Sequence, residues 1–379
     1  MKIHRKFKAV ICIALCTLVL LTTAACRTSP GTTLPVSDDT RDLNIAVVVF
    51  GAFGDNGFND LSRIGLERAI DELGVSGRAF ETGGYDITRI EPLLLDLCED
   101  GEFDVIFVMG AACREAAENA SMQFPDQRFI LFDAVASYDE RDLPNIASVT
   151  FRQNEASFLA GVLAAYVTNS DMEHTNSDNT VGVVLLRDNA VINDFLVGFI
   201  EGNHFVDEGI RILSAYNNSA VDTANAKELT INMAIQGADV VFGVTALATL
   251  GVVDGARERG IYAIGVDNDI AMQIKAFDED AAQMVITSVL KNTDVAVFRA
   301  IEAMLDGMDN IKWGAEESLG FEESAVGLAR NEFFYALSQE IRDKLDQVER
   351  DIISGAIQVS TAFGMTTDEV AALREAAAR

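Results

Sequence analysis

The chain has 379 residues, with 59 acidic against 29 basic side chains, a formal charge of −30, and 49% hydrophobic residues. That is enough chain for two ordinary domains, each burying its own core. The negative field excludes nucleic acid and disfavours anionic ligands, leaving a neutral or cationic one as the natural partner.

Lys2, Arg5, Lys6 and Lys8 precede an apolar run from Ala9 to Leu21, and Thr22-Thr23-Ala24-Ala25-Cys26 follows it. A basic start, a short apolar stretch and small residues before a cleavage point define a secretory signal. The run is shorter than the ~20 apolar residues of a spanning helix. Residues 1–25 therefore read as a signal peptide. The small residues before Cys26 resemble a bacterial lipobox, which makes Cys26 the expected lipidated amino terminus. Thr23 stands where an aliphatic residue is commoner, and cleavage without lipidation is the alternative. Residues 26–43, with Pro30, Gly31 and Pro35, read as a tether. The expected location is the cell membrane, lipid-anchored, facing the periplasm or the exterior. Cleavage removes four basic and no acidic side chains, taking the charge from −30 to −34. Cys12 and Cys16 leave with the signal. Cys98 and Cys113, in helical surroundings, are expected as buried free thiols rather than a disulfide.

From Asn44 onward, short apolar runs alternate with helix-like segments. Ile45 to Phe50, Val105 to Met109, Phe129 to Phe132, Val181 to Leu186, Ile210 to Leu213, Val240 to Val244 and Ile261 to Val266 read as buried parallel strands. Helical spacing appears in Leu66, Ala69, Ile70 and Leu73, in Leu93, Leu94 and Leu97, and in Leu247, Leu250, Val253 and Ala256. This alternation predicts an α/β fold of two doubly wound parallel-sheet lobes, joined by a hinge, with a ligand cleft between them. Residues 44–150 with 284–320 are assigned to the N-terminal lobe, with Met284 to Ser288 as its completing strand. Residues 151–283 with 321–365 are assigned to the C-terminal lobe. Ser170 to Thr180 is a surface loop. Thr366 with Glu369 forms a capping box that opens an exposed helical tail over 366–379.

In open α/β sheets, ligands bind beyond the carboxyl ends of the strands. Asp133 and Asp267 each follow such an end, as hydrogen-bond acceptors or as caps of the next helix. The first strand runs into Gly51-Ala52-Phe53-Gly54-Asp55-Asn56-Gly57-Phe58-Asn59-Asp60. Its glycines have neither dinucleotide spacing nor a P-loop lysine. A stacking Phe58 beside a polar Asn59 is the functional reading, and a core phenylalanine is the structural one. His174 and His204 lack ligand-spaced partners, so no metal or cofactor is expected. Asp267-Asn268-Asp269 lacks the glycine of a calcium loop, since Met272 stands in its place. No nucleophile, base and orienting group converge, and no Gly-x-Ser-x-Gly elbow exists, so an enzyme is not expected.

Gly-Asp-Asn-Gly-Phe-Asn-Asp at 54–60, Gly-Val-Asp-Asn-Asp at 265–269 and Thr287-Ser288-Val289-Leu290-Lys291 with Asp294 resemble the basic membrane protein family of lipoproteins. Phe195-x-x-Gly198-Phe199-x-x-Gly202 and Ser354-Gly355-x-Ile357-x-Val359 add weaker matches, and together they cover about Asn44 to Ser360. The resemblance implies a periplasmic-binding-protein type I fold. It also implies a nucleoside receptor, for purine nucleosides such as inosine, guanosine and adenosine, serving an ABC permease and ATPase as a monomer. It places Phe58 and Phe199 on the two faces of the base and Asp133 at its N–H edge. Asp267 and Lys291 would then bind the ribose hydroxyls, with Asp269 competing for the sugar and Asn59 and Asp55 supporting the pocket. Phe199 could equally be helix core, and Lys291 a structural ion pair. Asn56-Gly57 replaces the family's Lys-Ser, and Gly243-Val244-Thr245-Ala246 replaces a more glycine-rich turn. Another neutral solute such as a sugar, or an adhesion or signalling role at the surface, are the alternative functions.

Overall fold

A computed structural model of the protein describes residues 43–379; the signal peptide at 1–25, and Cys26 with the rest of the tether up to residue 42, lie outside the described residues. Runs rich in valine, isoleucine and phenylalanine form strands buried on both faces, as parallel strands covered by helices must be. In chain order the first lobe contains β1 (Asn44–Val49), α1 (Phe58–Leu73), β2 (Ser76–Glu81), α2 (Ile90–Asp100), β3 (Val105–Met109), α3 (Arg114–Gln123), β4 (Arg128–Phe132) and β5 (Ile146–Phe151). The second contains α4 (Gln153–Thr168), β6 (Thr180–Leu185), α5 (Ala190–Val206), β7 (Arg211–Tyr216), α6 (Thr223–Ile235), β8 (Ala238–Val244), α7 (Thr249–Arg259), β9 (Tyr262–Asp267), α8 (Ile270–Ile274), α9 (Glu279–Met284) and β10 (Val285–Lys291). The chain then returns to the first lobe with α10 (Thr293–Asp306) and β11 (Glu316–Leu319). It ends on the second with β12 (Val326–Leu328), α11 (Glu332–Tyr335), α12 (Gln339–Ile353) and α13 (Thr367–Ala377).

The first sheet has the order β11-β5-β4-β3-β1-β2 and is parallel throughout; the second runs β12-β10-β9-β8-β6-β7 and is parallel except for the β10–β12 pair. The two orders match position for position, so the carboxyl ends of both sheets present equivalent rows of residues to the cleft. The main chain crosses between lobes at Arg152, at Asn292 and between Gly320 and Ala325. These crossings are tied to one another: Arg152 N–H donates to the Leu319 carbonyl at 2.7 Å and Asn292 N–H to the Ala325 carbonyl at 2.8 Å. The Arg152 guanidinium adds ion pairs to Glu155 at 2.7 Å and Glu323 at 3.0 Å.

Two expectations need correction here. Met284 to Ser288 does not complete the first lobe: β10 pairs in parallel with β9, inside the second sheet. An apolar strand fits either sheet, and the chain crosses after it rather than before it, so the return to the first lobe begins with α10, which packs on α1. The consequence is that Lys291 ends a second-lobe strand. The tail helix α13 has its capping box, Thr366 with Glu369, but it is docked rather than exposed. Val370 and Ala377 are buried, and Arg374 donates to the Ser214 hydroxyl at 2.9 Å. Cys98 and Cys113 are free and buried, and burial pushes both thiols up to about 12, which leaves them as inert core groups.

Candidate functional site

The loop from β1 to α1 is held by its own acidic side chains. Asp55 accepts from the N–H groups of Gly57 at 3.0 Å, Asn59 at 3.0 Å and Asp60 at 3.1 Å. Asp60 accepts from those of Gly54 at 3.0 Å and Asn56 at 2.9 Å. The Asn59 amide donates to the Phe50 and Ala52 carbonyls, both at 3.2 Å. Backbone donors at the amino end of α1, which have no partner within the helix, are thereby satisfied. Phe58, the first residue of α1, is left half-buried beside Gly110 with its ring on the cleft. Asn59 and Asp55 border the cavity, while the Asp55 carboxylate and the Asn59 amide N–H groups bond the loop that carries Phe58.

Asp133 follows β4 and Asp267 ends β9, and both have left-handed backbones, with φ of 65° and 67°. That conformation is uncommon outside glycine, and aspartate, like asparagine, is among the side chains that adopt it most readily. Its occurrence at equivalent places in the two lobes turns both carboxylates into the same cavity. Lys291, 3% exposed, forms an ion pair with Asp133 across the cleft. Its ammonium also lies 5.3 Å from the ring centroid of Phe58, 4.9 Å from that of Phe151 and 5.8 Å from that of Phe195. The carboxylate and the three ring faces are the partners of this buried ammonium. Burial pushes the Asp133 carboxyl up against the pull of Lys291. Burial also raises Asp267, to about 6, with Lys291 opposing and Asp55 and Asp133 reinforcing the shift.

These groups line a cavity of about 180 Å³ between the lobes, walled largely by apolar side chains. Of the residues singled out from sequence, Phe58, Asn59, Asp55, Asp133, Asp267 and Lys291 border it. Phe199 does not. It is fully buried against Phe242, with ring centroids 5.4 Å apart, and Phe195, one turn earlier on α5, is the aromatic that faces the cavity. Asp269 is also displaced from the site. It caps α8 by accepting from the Met272 N–H at 3.2 Å, and it accepts from the Asn331 amide at 2.7 Å. Tyr85 and Arg187, which also border the cavity, were not singled out, and Ala246, which does too, was noted only as part of a turn that departs from the family. Each follows the carboxyl end of a strand, and the strand-end rule finds them once β2, β6 and β8 are in place. The lobes meet at the cleft edge, where the Asn56 carbonyl accepts from Gln273 at 2.7 Å and from Asn268 at 3.4 Å. Among the described residues no group of three His, Cys, Asp or Glu side chains is placed to hold a metal ion.

Two parallel-sheet lobes, crossed three times by the chain and closed over a cavity lined by phenylalanines and opposed charges, define a clamshell solute-binding protein. Residues 43–362 match the family described as ABC transporter substrate-binding protein, PnrA-like, and the chain belongs to that family. Basic membrane protein D of Borreliella burgdorferi is 28% identical over 334 residues, covering 85% of this chain and 90% of that one. An uncharacterized lipoprotein of Pyrococcus horikoshii is 27% identical over 327 residues, covering 84% and 77%. Among solved structures, an ABC transporter solute-binding protein from Aeropyrum pernix is similar with a TM-score of 0.73 at 25% identity, over 88% of this chain and 99% of that one. A periplasmic solute binding protein from Actinobacillus succinogenes, solved with bound D-allose, shares the fold with a TM-score of 0.59 at 13% identity, over 78% and 100%. The protein is thus the substrate-binding component of an ABC transporter rather than an enzyme, which implies a small-molecule ligand and permease and ATPase partners.

Proposed function

We propose that the ligand is a nucleoside, with purine nucleosides such as inosine, guanosine and adenosine preferred. The observation that carries this reading is the placement of the Phe58 ring beside Asp133, Asp267 and Lys291 in one cavity between the lobes. A flat heteroaromatic base gains about 1–3 kcal/mol from stacking on an aromatic side chain. Carboxylates and an ammonium then accept from and donate to its N–H edge and the sugar hydroxyls. Phe195 takes the second aromatic position in place of Phe199. A strongly acidic chain suits a neutral ligand of this kind.

The protein acts, in this proposal, outside the cytoplasmic membrane as a monomer held by lipid on Cys26, as the relatives named lipoproteins suggest. The described residues carry no helix long and apolar enough to cross a membrane, and the acyl chains would supply the attachment. Native mass spectrometry of protein purified without added ligand tests the ligand class: the expected adduct has the mass of a nucleoside. An adduct with the mass of a hexose or pentose would replace the proposal with a sugar receptor. Intact mass of the membrane-extracted protein tests the anchor, which requires diacylglycerol on Cys26 after loss of residues 1–25.

A further inference from the structure

Val191, Ile192 and Phe195 of α5 border the interlobe cavity, so the position of this helix sets the shape of one wall. At about 3.6 residues per turn, Asn193 and Asp194 fall on the sides of α5 turned away from the cavity. Both are buried, at 4% and 1% exposed, and both are held by the end of the chain. The Asp194 carboxylate accepts from the Thr361 hydroxyl at 2.6 Å, the Ala362 N–H at 2.8 Å and the Gln153 amide at 2.9 Å. Just before these residues, the Ser360 N–H donates to Glu201 of α5 at 2.9 Å, and the Ser360 carbonyl accepts from the Asn154 amide of α4 at 3.1 Å.

The second hold runs through α13. The Arg374 guanidinium lies 4.5 Å from the ring centroid of Tyr216 and donates to the hydroxyl and the carbonyl of Ser214, at 2.9 and 3.3 Å. Tyr216, the last residue of β7, donates its phenol O–H to the side-chain carbonyl of Asn193 at 2.8 Å, and the Asn193 amide donates to Asp188 at 2.7 Å. A buried amide bonded through both its oxygen and its nitrogen is fixed in one orientation. Asp188 stands between Arg187 and Asn189, which both border the cavity, whereas Asn193, Tyr216 and Arg374 do not touch it. We propose that residues 359–377 brace the cavity wall, and that Arg374, Tyr216 and Asn193 are positioning residues for ligand binding. They act in series: Arg374 holds the Tyr216 ring, Tyr216 holds Asn193, and Asn193 holds the start of α5 with Ile192 and Phe195. The brace bears on the helix whatever solute the cavity takes. A series has a distinctive consequence, because breaking one link forfeits the links beyond it, and two breaks cost no more than one.

Hydrogen exchange of the ligand-free protein and calorimetric titration with adenosine, on wild type, Tyr216→Phe, Arg374→Ala and the double variant, test the inference. Tyr216→Phe keeps the ring under Arg374 and removes one hydroxyl, so it breaks the series without disturbing the fold. Amides of α5 should exchange about tenfold faster in each variant, with α2 of the first lobe unchanged. Affinity for adenosine should fall about fivefold in each single variant, the worth of a lost hydrogen bond. The double variant should bind no more weakly than the weaker of the two single variants. Exchange in α5 that stays at the wild-type rate overturns the brace. Faster exchange with affinity retained overturns the positioning role, and losses that add overturn the series. The titration rests on the nucleoside reading and the exchange does not. A wild type that fails to bind adenosine therefore counts against that reading, while the exchange still decides the brace.

Discussion

Phe58 and Phe199 separate binding from folding. Phe58→Ala removes the stacking surface and should weaken nucleoside affinity at least tenfold, about 1.4 kcal/mol, with little change in the unfolding midpoint. Phe199→Ala should do the reverse. It leaves a hole beside Phe242 that costs about 3–5 kcal/mol of stability, readable by urea titration, while affinity in the folded protein stays within a few fold. Asp267 gives a pH signature. Below its pKa of about 6 the carboxyl is protonated and cannot accept a sugar hydroxyl as an ion does. Affinity should therefore fall as pH drops through 6, and Asp267→Asn should bind weakly with a flat profile. The sign for stability is opposite. An acid raised in the folded state holds a proton that the unfolded chain has released, so its contribution is lost as pH rises from the ordinary carboxyl range through 6. Ligand-free Asp267→Asn should be more stable than wild type at pH 7, by up to about 3 kcal/mol, and equal to it near pH 3, below the ordinary carboxyl range. Asp133 and Asp267 were legible in the sequence because a strand end is a visible landmark. Phe195 and Phe199 were not separable there, because residues four apart share a helix face and periodicity carries no measure of depth. Asp267 and Asp269 differ only in which one the chain uses as a helix cap.

At the scale of elements, the glycines of α5 explain a stretch whose pattern suggested ligand binding. A Cβ on Gly202 would lie 1.9 Å from the Phe158 carbonyl oxygen, and one on Gly198 would lie 2.2 Å from that of Asn154. The helices α4 and α5 touch backbone to backbone. Gly202→Ala should destabilise the protein by about 3 kcal/mol, seen as a lowered denaturation midpoint, because neither helix can yield without moving its neighbours. The central strands were legible as runs buried on both faces. β2 was not, since Ser-Gly-Arg-Ala-Phe-Glu is a half-exposed edge with no apolar run, and with it went the signal for Tyr85. Nor does any strand encode the sheet it joins. β10 was placed in the wrong lobe for that reason, and the correction matters because it sets Lys291 opposite Asp133 rather than beside it.

Across the whole molecule, the two sheets bring their strand ends together, and opposed charges from different lobes meet over the cavity. The Lys291–Asp133 pair and the Asn56 contacts with Gln273 and Asn268 all bridge the cleft. Moving the lobes apart must break them. A ligand that bonds Asp133 on one side and Asp267 with Lys291 on the other therefore stabilises closure by its difference in affinity for the two states. The two-lobed architecture was evident from the repeated alternation of strand and helix. The lobe assignment also implied three crossings, after residues 150, 283 and 320; the second lies instead at Asn292, because an apolar strand does not encode which sheet it joins. The most direct test of nucleoside capture between the lobes is calorimetric titration of the mature protein, unfolded and refolded to remove any carried ligand, with inosine, guanosine and adenosine. The account predicts saturable binding of at least one of them, with one ligand per chain. No heat with any of the three, in protein shown to be folded, would contradict it.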